Sequence, residues 1–363
     1  MAVPHWTFIL TDLQGAQLGE LTNASSKQVV LPLNRVPTAG FTIPTNHYLS
    51  PYLLDPTWDG LVKAYRDSTL RFIGPVVSSS EALSAGVQTV NVNAAGPLWR
   101  TQFRMLGTIP AGWSLGNSVT SYDLGYIAQQ MIIAANSVGY TGIDNGSTSA
   151  STNGSAGVYW FKDVLSAIGD ASTGLNSFDF EVAPTEPTNV AQAWPRIGIF
   201  NAANLIGAAR PEAIFEYGTT KGNLTDYTRQ IDRSNLCTKG YIQQPAVSDH
   251  TGVLTAEDTA AEAIRGKFEA LVDDGGTSWD VLRQDLVNAN VQVRKQARQV
   301  VTVTPQPNVS PTAFTDFIVG DQIRARIYND GYSILDAMMR IWGITFNEDQ
   351  QGNEQMSLEL IEP

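Results

Sequence analysis

Histidine and cysteine, the side chains that most often bind metals or act as nucleophiles, are scarce in this chain of 363 residues. The three histidines are His5, His47 and His250, and the single cysteine is Cys237. Their spacing matches no recognised zinc site, and one cysteine cannot form an internal disulfide. We therefore predict no metal site, no cofactor and no catalytic centre built on these residues.

Two short segments invite a chemical interpretation, and in both cases another interpretation is stronger. Asp249 and His250 form the one neighbouring Asp–His pair, but adjacent side chains rarely point at the same reacting atom. Residues 347–352 resemble an acidic calcium loop, yet they lack the alternating Asp/Asn ligands and the terminal bidentate Glu of that motif. This segment lies between two strand patterns, so we predict a hairpin turn there.

Motifs of the best-marked enzyme classes are missing from the sequence. It has no phosphate-binding P-loop, no dinucleotide-binding glycine pattern, no zinc-protease helix and no nucleophile elbow. Pairs of carboxylates suited to glycosidic cleavage can be chosen in many ways among the 35 Asp and Glu residues. We predict that the chain is not an enzyme, and a cell-wall hydrolase stays open as the weaker alternative.

Charge and hydropathy exclude further classes of function. The formal net charge is −12 and no dense cluster of Lys and Arg occurs, so we predict no stable binding to nucleic acid. No apolar run reaches the ~18–20 residues that a membrane span needs, and the N-terminus has no secretory signal, so we predict no membrane insertion and synthesis in a cytoplasm. Charged residues make up 16% of the chain, which favours a β-rich subunit of an assembly.

The elements that must position any functional surface begin with strands over residues 6–96. Apolar residues alternate with polar ones at Trp6, Phe8 and Leu10, and again at Val90 and Val92. A period of two is typical of a strand with one buried face. Between these patterns, residues 61–65 and 70–77 flank a polar turn and predict a hairpin. This region is expected to form a small barrel or sandwich.

The pattern becomes helical in the middle of the chain. Apolar residues from Leu124 to Ala135 recur at helical spacing, with Ser121 as the expected N-cap and Gly139 as the stop. Residues 139–157 are small and polar, so we expect a mobile loop there. Short strands follow, and residues 196–200 are one of them.

Two more helices are predicted before the C-terminal region. The first starts at Thr255 and Asp258, places Ala261, Ile264, Phe268 and Leu271 on one face, and stops at the glycines 275 and 276. The second follows Ser278. Its apolar stripe consists of Trp279, Leu282, Leu286, Ala289 and Val293. Both stripes are expected to face a hydrophobic core.

The C-terminal region has the clearest strand pattern. The predicted strands are residues 299–304, 322–328, 338–346 and 354–361. Asn329-Asp330-Gly331 is a strong hairpin signal between the second and third of these strands. Gly320 is expected at a turn over residues 319–321 where a side chain is poorly tolerated, with backbone strain in a Val variant if its φ is positive.

Several segments together resemble one protein family. The first three are LVKAYRD at 61–67, TLRFIGPV at 69–76 and VQTVNVNA at 87–94. The others are FEYG at 215–218, NLTDY at 223–227, VGDQI at 319–323, GITFNED at 343–349 and MSLEL at 356–360. Their order along the chain resembles that of tail tip and baseplate hub proteins of bacteriophages. The chain is most similar to minor tail proteins of siphophages that infect actinobacteria.

This resemblance implies an α+β fold dominated by strands, with two small β-barrel domains and a mixed helical insert domain. The first barrel is expected at residues 1–97, the insert at 98–209 plus 249–298, and the second barrel at 210–248 plus 299–363. It also implies a homotrimer, because two similar barrels in each of three chains make a pseudo-sixfold ring that matches a sixfold tail tube.

The implied function is that of a structural hub at the distal end of the phage tail. Expected partners are the distal tail protein ring, the tape measure protein and other tail tip or fibre proteins, with only transient passage of DNA. Alternatives are a hexameric distal tail protein or a host-binding tip protein. Three chains of charge −12 carry −36, so we also expect an acidic channel wall.

Overall fold

The structure, a computed structural model, describes residues 5–84, 86–105, 124–149, 163–172, 178–220, 222–243, 253–272, 280–329 and 332–362. The strands are β1 (Trp6–Asp12), β2 (Gln17–Glu20), β3 (Ser25–Pro32), β4 (Thr38–Pro44), β5 (Gly60–Arg66), β6 (Thr69–Ser84), β7 (Val87–Ala95), β8 (Ile143–Ser149), β9 (Asp179–Thr188), β10 (Arg196–Ala203), β11 (Ala209–Tyr217), β12 (Leu224–Asp232), β13 (Lys239–Gln243), β14 (Val253–Glu257), β15 (Glu269–Leu271), β16 (Arg298–Pro305), β17 (Gln322–Asn329), β18 (Tyr332–Glu348) and β19 (Glu354–Ile361). The helices are α1 (Ser50–Leu54), α2 (Leu124–Val138), α3 (Val164–Ala171), α4 (Thr259–Arg265) and α5 (Asp280–Arg294), and a 3-10 helix spans Pro97–Phe103. Strands dominate, as the sequence predicted.

Eight strands form the middle of the molecule, which we call the central sheet, in the order β6-β7-β4-β3-β18-β19-β16-β12. Each neighbouring pair is antiparallel. β6 contributes residues 76–84 and β18 contributes residues 340–348. The pairing of β3 with β18 joins the N-terminal strands to the C-terminal strands in one sheet.

The first part of each long strand lies outside the central sheet. Residues 69–75 of β6 pair with β5, which leads to β1 and β2, and these strands form the first flap. Residues 332–340 of β18 pair with β17, which leads to β11, and these form the second flap. Each long strand has a register shift near the crossing, and β-bulges bend strands.

The central sheet consists of two units with the same strand order. The first unit is β6-β7-β4-β3 and the second is β18-β19-β16-β12. In each unit a long strand from a flap pairs with the strand that follows it in the chain, and two earlier strands complete the unit. The sequence showed no fixed-period repeat, so only the strand pairing reveals this one.

One hydrophobic core is shared by both units and both flaps. It includes Phe8 and Phe41 from the N-terminal strands and Phe215, Ile344 and Phe346 from the C-terminal strands, all at most 3% exposed. Burial of each such side chain contributes about 1.5–3 kcal/mol. The prediction of two small barrels is not confirmed, because no sheet among the described residues closes on itself.

The first insert lies between the two units and has its own core. It contains the 3-10 helix, α2, α3 and the sheet β8-β10-β9. Helix α2 is confirmed, and its predicted apolar stripe is buried. The expected N-cap, Ser121, lies outside the described residues. The loop predicted at 139–157 is wrong for residues 143–149, which form β8 beside β10; Ile143 is buried there, and tertiary pairing overrides weak local strand propensity.

The second insert interrupts the second unit between β12 and β16. It contains α4, α5 and the sheet β14-β13-β15. β13, which the sequence placed with the second barrel, pairs with β14 and β15 instead. The expected domain bounds otherwise remain a prediction.

Two expectations in the second insert need correction. The predicted helix through Leu271 ends at Arg265, where Gly266 has a φ of 89°, and residues 269–271 form β15. Its N-cap is Asp258, whose side chain accepts a hydrogen bond from the backbone N–H of Ala261. Helix α5 exists as predicted, but Val293 is exposed. The buried stripe includes Arg283, Val287 and Val291, which recur every four residues.

Candidate assembly surface

The central sheet ends in two strands that have a free edge. Among the residues that the structure describes, residues 76–84 of β6 pair only with β7, and β12 pairs only with β16. Each free edge presents unpaired backbone N–H and C=O groups over about nine residues. Such edges are templates for pairing with another chain unless they are blocked.

The outer edges of the two flaps are protected in ways that these edges are not. β2 is only four residues long and ends at Glu20. β11 contains Pro211 within an unpaired bulge, next to Glu212. Residues 76–84 of β6 contain no proline and a single charge, Glu81. Short length, proline and bulges are the devices by which proteins prevent edge pairing, so the free edges of the central sheet are suited to assembly.

Strand direction makes the two free edges compatible with each other. Neighbouring strands alternate in direction across the eight strands, so β6 and β12 run in opposite directions. A rotated second copy can therefore place its β12 antiparallel beside β6 of the first copy. Such a head-to-tail contact closes into a ring if the rotation permits.

One face of the central sheet packs on the core, and we call the opposite one the uncovered face. The pairings place on it Ser78, Ser80 and Ala82 of β6, Thr89, Asn91 and Asn93 of β7, Thr38, Gly40, Thr42 and Pro44 of β4, Gln28, Val30 and Pro32 of β3, Arg340, Gly343, Thr345 and Asn347 of β18, Gln355, Ser357, Glu359 and Ile361 of β19, Arg298, Val300, Thr302 and Thr304 of β16, and Asp226, Thr228, Gln230 and Asp232 of β12. Hydroxyl and amide side chains therefore dominate this face.

Several of these side chains bind each other across strands. Thr42 Oγ1 donates a hydrogen bond to Asn91 Oδ1, and Gln28 Nε2 donates one to Asn347 Oδ1, both at 2.8 Å. Asn93 Nδ2 donates to Ser78 Oγ at 3.1 Å. A cavity of about 770 Å³ lies on this face and is lined in part by these amides. The uncovered face is therefore polar and contains a cavity.

A buried ion pair joins the two units at the middle of the sheet. Lys27 Nζ lies 2.7 Å from Glu348 Oε1, and the two side chains are 8% and 3% exposed. Lys27 also donates to the backbone carbonyl of Trp6, whose own N–H donates to Glu348 at 3.0 Å. These bonds satisfy both charges inside the protein, as a buried pair requires.

A second ion pair lies next to the first. Arg66 donates two hydrogen bonds to Glu354, at 2.7 and 2.8 Å, and the indole N–H of Trp6 donates to the same carboxylate at 2.6 Å. The Arg66 guanidinium also lies over the rings of Phe314 and Phe346. The first flap is therefore fixed to the second unit.

The first insert is held to the sheet by a third buried pair. Arg340 of β18 donates to the carboxylate of Asp179 in β9 and to the backbone carbonyls of Gly320 and Ile206. Asn34 donates to the same Asp179 at 2.9 Å. One guanidinium thus fixes the insert, the linker after it and the turn before β17.

The turn at Gly320 has the expected geometry. Its φ is +92°, and a Cβ there would collide with the backbone carbonyl oxygen of Ile206. Asp321 accepts hydrogen bonds from the N–H groups of Ala208, at 2.6 Å, and Ile318, at 2.9 Å. The predicted turn at this glycine is confirmed, and its φ is positive.

The three described candidates, His5, His47 and Cys237, lie in separate segments before β1, α1 and β13. Cys237 is buried, and burial raises the pKa of its thiol, which makes the thiolate less available. His47 is buried beside α1, and desolvation lowers its pKa. His5 is exposed near Glu348. Asp249 and His250 lie outside the described residues, and within the described ones no three His, Cys, Asp or Glu side chains are grouped to bind a metal.

The segment at 347–352 is a hairpin turn, as predicted. Asp349 Oδ1 accepts hydrogen bonds from the backbone N–H groups of Gln351 and Asn353, and the Asn353 side chain donates to Oδ2. These bonds, the side-chain one first, lower the pKa of Asp349. The carboxylate is used to form the turn between β18 and β19.

Sequence reasoning missed the second half of the edge strand β6. It ended the strand of β6 at Val77, whereas the strand continues to Ser84. The extension is rich in serine, which has no strong strand preference, so the local sequence carried little signal.

None of the described helices is long and apolar enough to cross a membrane.

Comparison by sequence finds no relatives: no protein-family model matches the chain, and no curated protein matches it. Comparison by structure finds similar proteins. The tail protein from Neisseria meningitidis MC58 aligns with a TM-score of 0.60 at 12% identity, over 99% of this chain and 97% of that one. The 43 kDa tail protein of prophage MuSo2 from Shewanella oneidensis gives 0.64 at 10% identity, over 98% of both.

A third similar structure belongs to a protein complex. The Francisella PdpA–VgrG complex aligns with a TM-score of 0.51 at 9% identity, over 99% of this chain and 58% of that one. The chain therefore has the fold of phage tail proteins, and it resembles part of one chain of the PdpA–VgrG complex. This confirms, at the level of fold, the resemblance to tail hub proteins inferred from the sequence.

Proposed function

We propose that this chain is a structural hub subunit of a phage tail and that three copies form a ring through the free edges of the central sheet. The observation that carries the proposal is the repeated four-strand unit, with an edge at each end of the central sheet that pairs with no other described strand. Two units in each chain give six units in a trimer, which matches a sixfold tail tube with nearly equivalent contacts.

The dimensions are consistent with a channel. Three copies of eight strands make 24 strands. At about 4.8 Å per strand, a closed ring of that number has a backbone diameter of about 37 Å before strand tilt widens it. The uncovered face, on this arrangement, lines the channel, and the flaps and inserts surround it.

The proposed place is the distal end of the tail in the virion. There the ring would contact the distal tail protein ring, the tape measure protein and further tip or fibre proteins. Its role is structural and not enzymatic, in keeping with the fold shared with tail proteins and with the absence of recognisable catalytic motifs.

Native mass spectrometry and electron microscopy of the purified chain test the proposal. We expect a trimer with threefold symmetry and a central opening. A hexamer would favour a distal tail protein, and a monomer at micromolar concentration would contradict edge pairing between copies.

Enzymatic activity is tested separately by incubating the chain with peptidoglycan from several actinobacteria. We expect no release of soluble fragments. Reproducible cleavage that is lost on substitution of a single carboxylate would contradict the structural role and support a cell-wall hydrolase.

A further inference from the structure

We infer that the uncovered face of the central sheet is a passage surface for duplex DNA that avoids adhesion by being nearly free of cations and self-bonded, an inference that rests on the proposed ring. The net charge of the sequence alone favoured an acidic channel wall. The strand pairing instead places mostly uncharged hydroxyl and amide groups on this face.

Charges on the uncovered face are few and unevenly placed. The first unit contributes none to it. The second unit contributes Glu359, Asp226, Asp232, Arg298 and Arg340. Three carboxylates and two guanidinium groups leave a net charge of −1 on this face of each chain, whereas the whole chain carries −12. Most of the negative charge therefore lies on the flaps, the inserts and the loops.

Both cations that the described strands place on the face have partners of opposite charge. Arg340 is buried and donates to the carboxylate of Asp179. Arg298 is the cross-strand partner of Asp232. At the margin of the face, Arg35 donates a hydrogen bond of 2.9 Å to Glu359. Adhesion to DNA depends on Lys and Arg side chains that neutralise phosphates and release counterions, and this face offers no cation without a neighbouring carboxylate.

Polar groups on the face are also partly engaged with one another. The pairs Thr42–Asn91, Gln28–Asn347 and Asn93–Ser78 are hydrogen-bonded across strands. Donors used in this way are less free to bind phosphate oxygens, which are the main contacts in protein–DNA complexes. Weak net charge and internal hydrogen bonding together predict a surface along which a polyanion moves without being held.

A charge-reversal experiment on the assembled protein tests the inference. The face variant carries Gln28→Arg, Asn91→Arg and Asn93→Arg. The acidic variant carries Glu at the same three positions, and the outer variant carries Ala260→Arg, Ala263→Arg and Gln296→Arg, which are exposed on or beside the second insert. Native mass spectrometry first establishes the oligomeric state of each protein. Fluorescence anisotropy then measures binding of a labelled linear duplex and of a covalently closed circle.

We expect the unmodified and acidic proteins to show no retention of either DNA at low salt. The face variant should bind the linear duplex roughly 100-fold more tightly than the outer variant does, with a steep salt dependence, because nine added cations converge in one channel. It should bind the closed circle no better than the outer variant does, because a circle cannot thread a closed ring.

Two results would overturn the inference while leaving the ring intact. One is a trimeric unmodified protein that retains linear DNA as tightly as the face variant does. The other is a trimeric face variant that binds circles and linear duplexes equally, since its added cations would then lie outside the channel. Absence of a trimer in every protein would instead refute the proposed ring, and the inference with it.

Discussion

The two units of the central sheet share one strand order but differ in how the chain connects it. The first unit is built within residues 25–95, with α1 and β5 between its strands. In the second unit, the whole second insert separates β12 from β16. The free energy of closing a loop rises only slowly with its length, so such an insertion costs little. The two units of the central sheet therefore keep the same strand order although the segments that connect their strands differ in length and content.

The units also differ at their outer edges and on the uncovered face. The free edge of the first unit is rich in serine, with Glu81 as its only charge. The free edge of the second unit contains Asp226, Arg229 and Asp232. Because the edges differ, pairing between copies is expected to be head-to-tail, which forms rings, and not edge-to-same-edge, which forms dimers.

The largest effect is expected from blocking the free edge of the first unit. Alternate residues of an edge strand direct their N–H groups toward and away from the sheet, so Ser79→Pro and Ser80→Pro test both orientations. The substitution that removes an outward N–H should convert the trimer to a monomer with an unchanged circular dichroism spectrum. Gln17→Pro in β2, on the protected flap, should leave the trimer intact. Trimers in all three variants would show that this edge is not the interface.

The next largest effect is expected at the buried Lys27–Glu348 ion pair, which joins the two units. Lys27→Met leaves the Glu348 carboxylate buried without its cation, which should lower the free energy of unfolding by about 3–5 kcal/mol. Lys63→Met is the control, because its partner Glu186 is 55% exposed and stays hydrated. That change should cost less than about 1 kcal/mol. Urea titration of both variants measures the free energy of unfolding. Equal losses in the two variants would show that the buried pair does not stabilise the contact between the units.

A smaller effect is expected at the turn that leads into the second flap. Gly320→Val places a side chain at a φ of +92° and should cost on the order of 1–3 kcal/mol, with the collision at Ile206 adding to it. Gly352→Val provides the backbone effect alone, because φ is +82° and no atom lies within 4 Å of its Cβ position. Equal destabilisation of the two variants in urea would show that contact with Ile206 is unimportant.

The smallest effect concerns His47, beside the first unit. Its buried ring lies on Tyr48, and Nδ1 accepts a hydrogen bond of 3.2 Å from the N–H of Leu49. Burial lowers the pKa of His47, so the unfolded chain binds a proton more readily than the folded chain. The stabilisation is present above the ordinary pKa of about 6.5 and is lost as the pH falls through and below it. His47→Gln should flatten the stability profile between pH 8 and pH 5; identical profiles would contradict this.

The sequence by itself determined most of the local structure. Alternation at Trp6, Phe8 and Leu10 and helical spacing in α2 each reflect a period set by the backbone, and these elements formed as predicted. Gly320 was predictable because only glycine adopts a positive φ without strain. The order of short motifs was enough to indicate the fold of tail proteins.

Only the tertiary structure decided which strands pair. Lys27 and Glu348 are 321 positions apart, and no local period relates them. The pairing of β3 with β18 merged two expected barrels into one sheet, and it also fixed which edges are free and which polar residues share the uncovered face. These features depend on packing between distant segments, whose relative placement is set by the shared core and not by any single stretch of sequence.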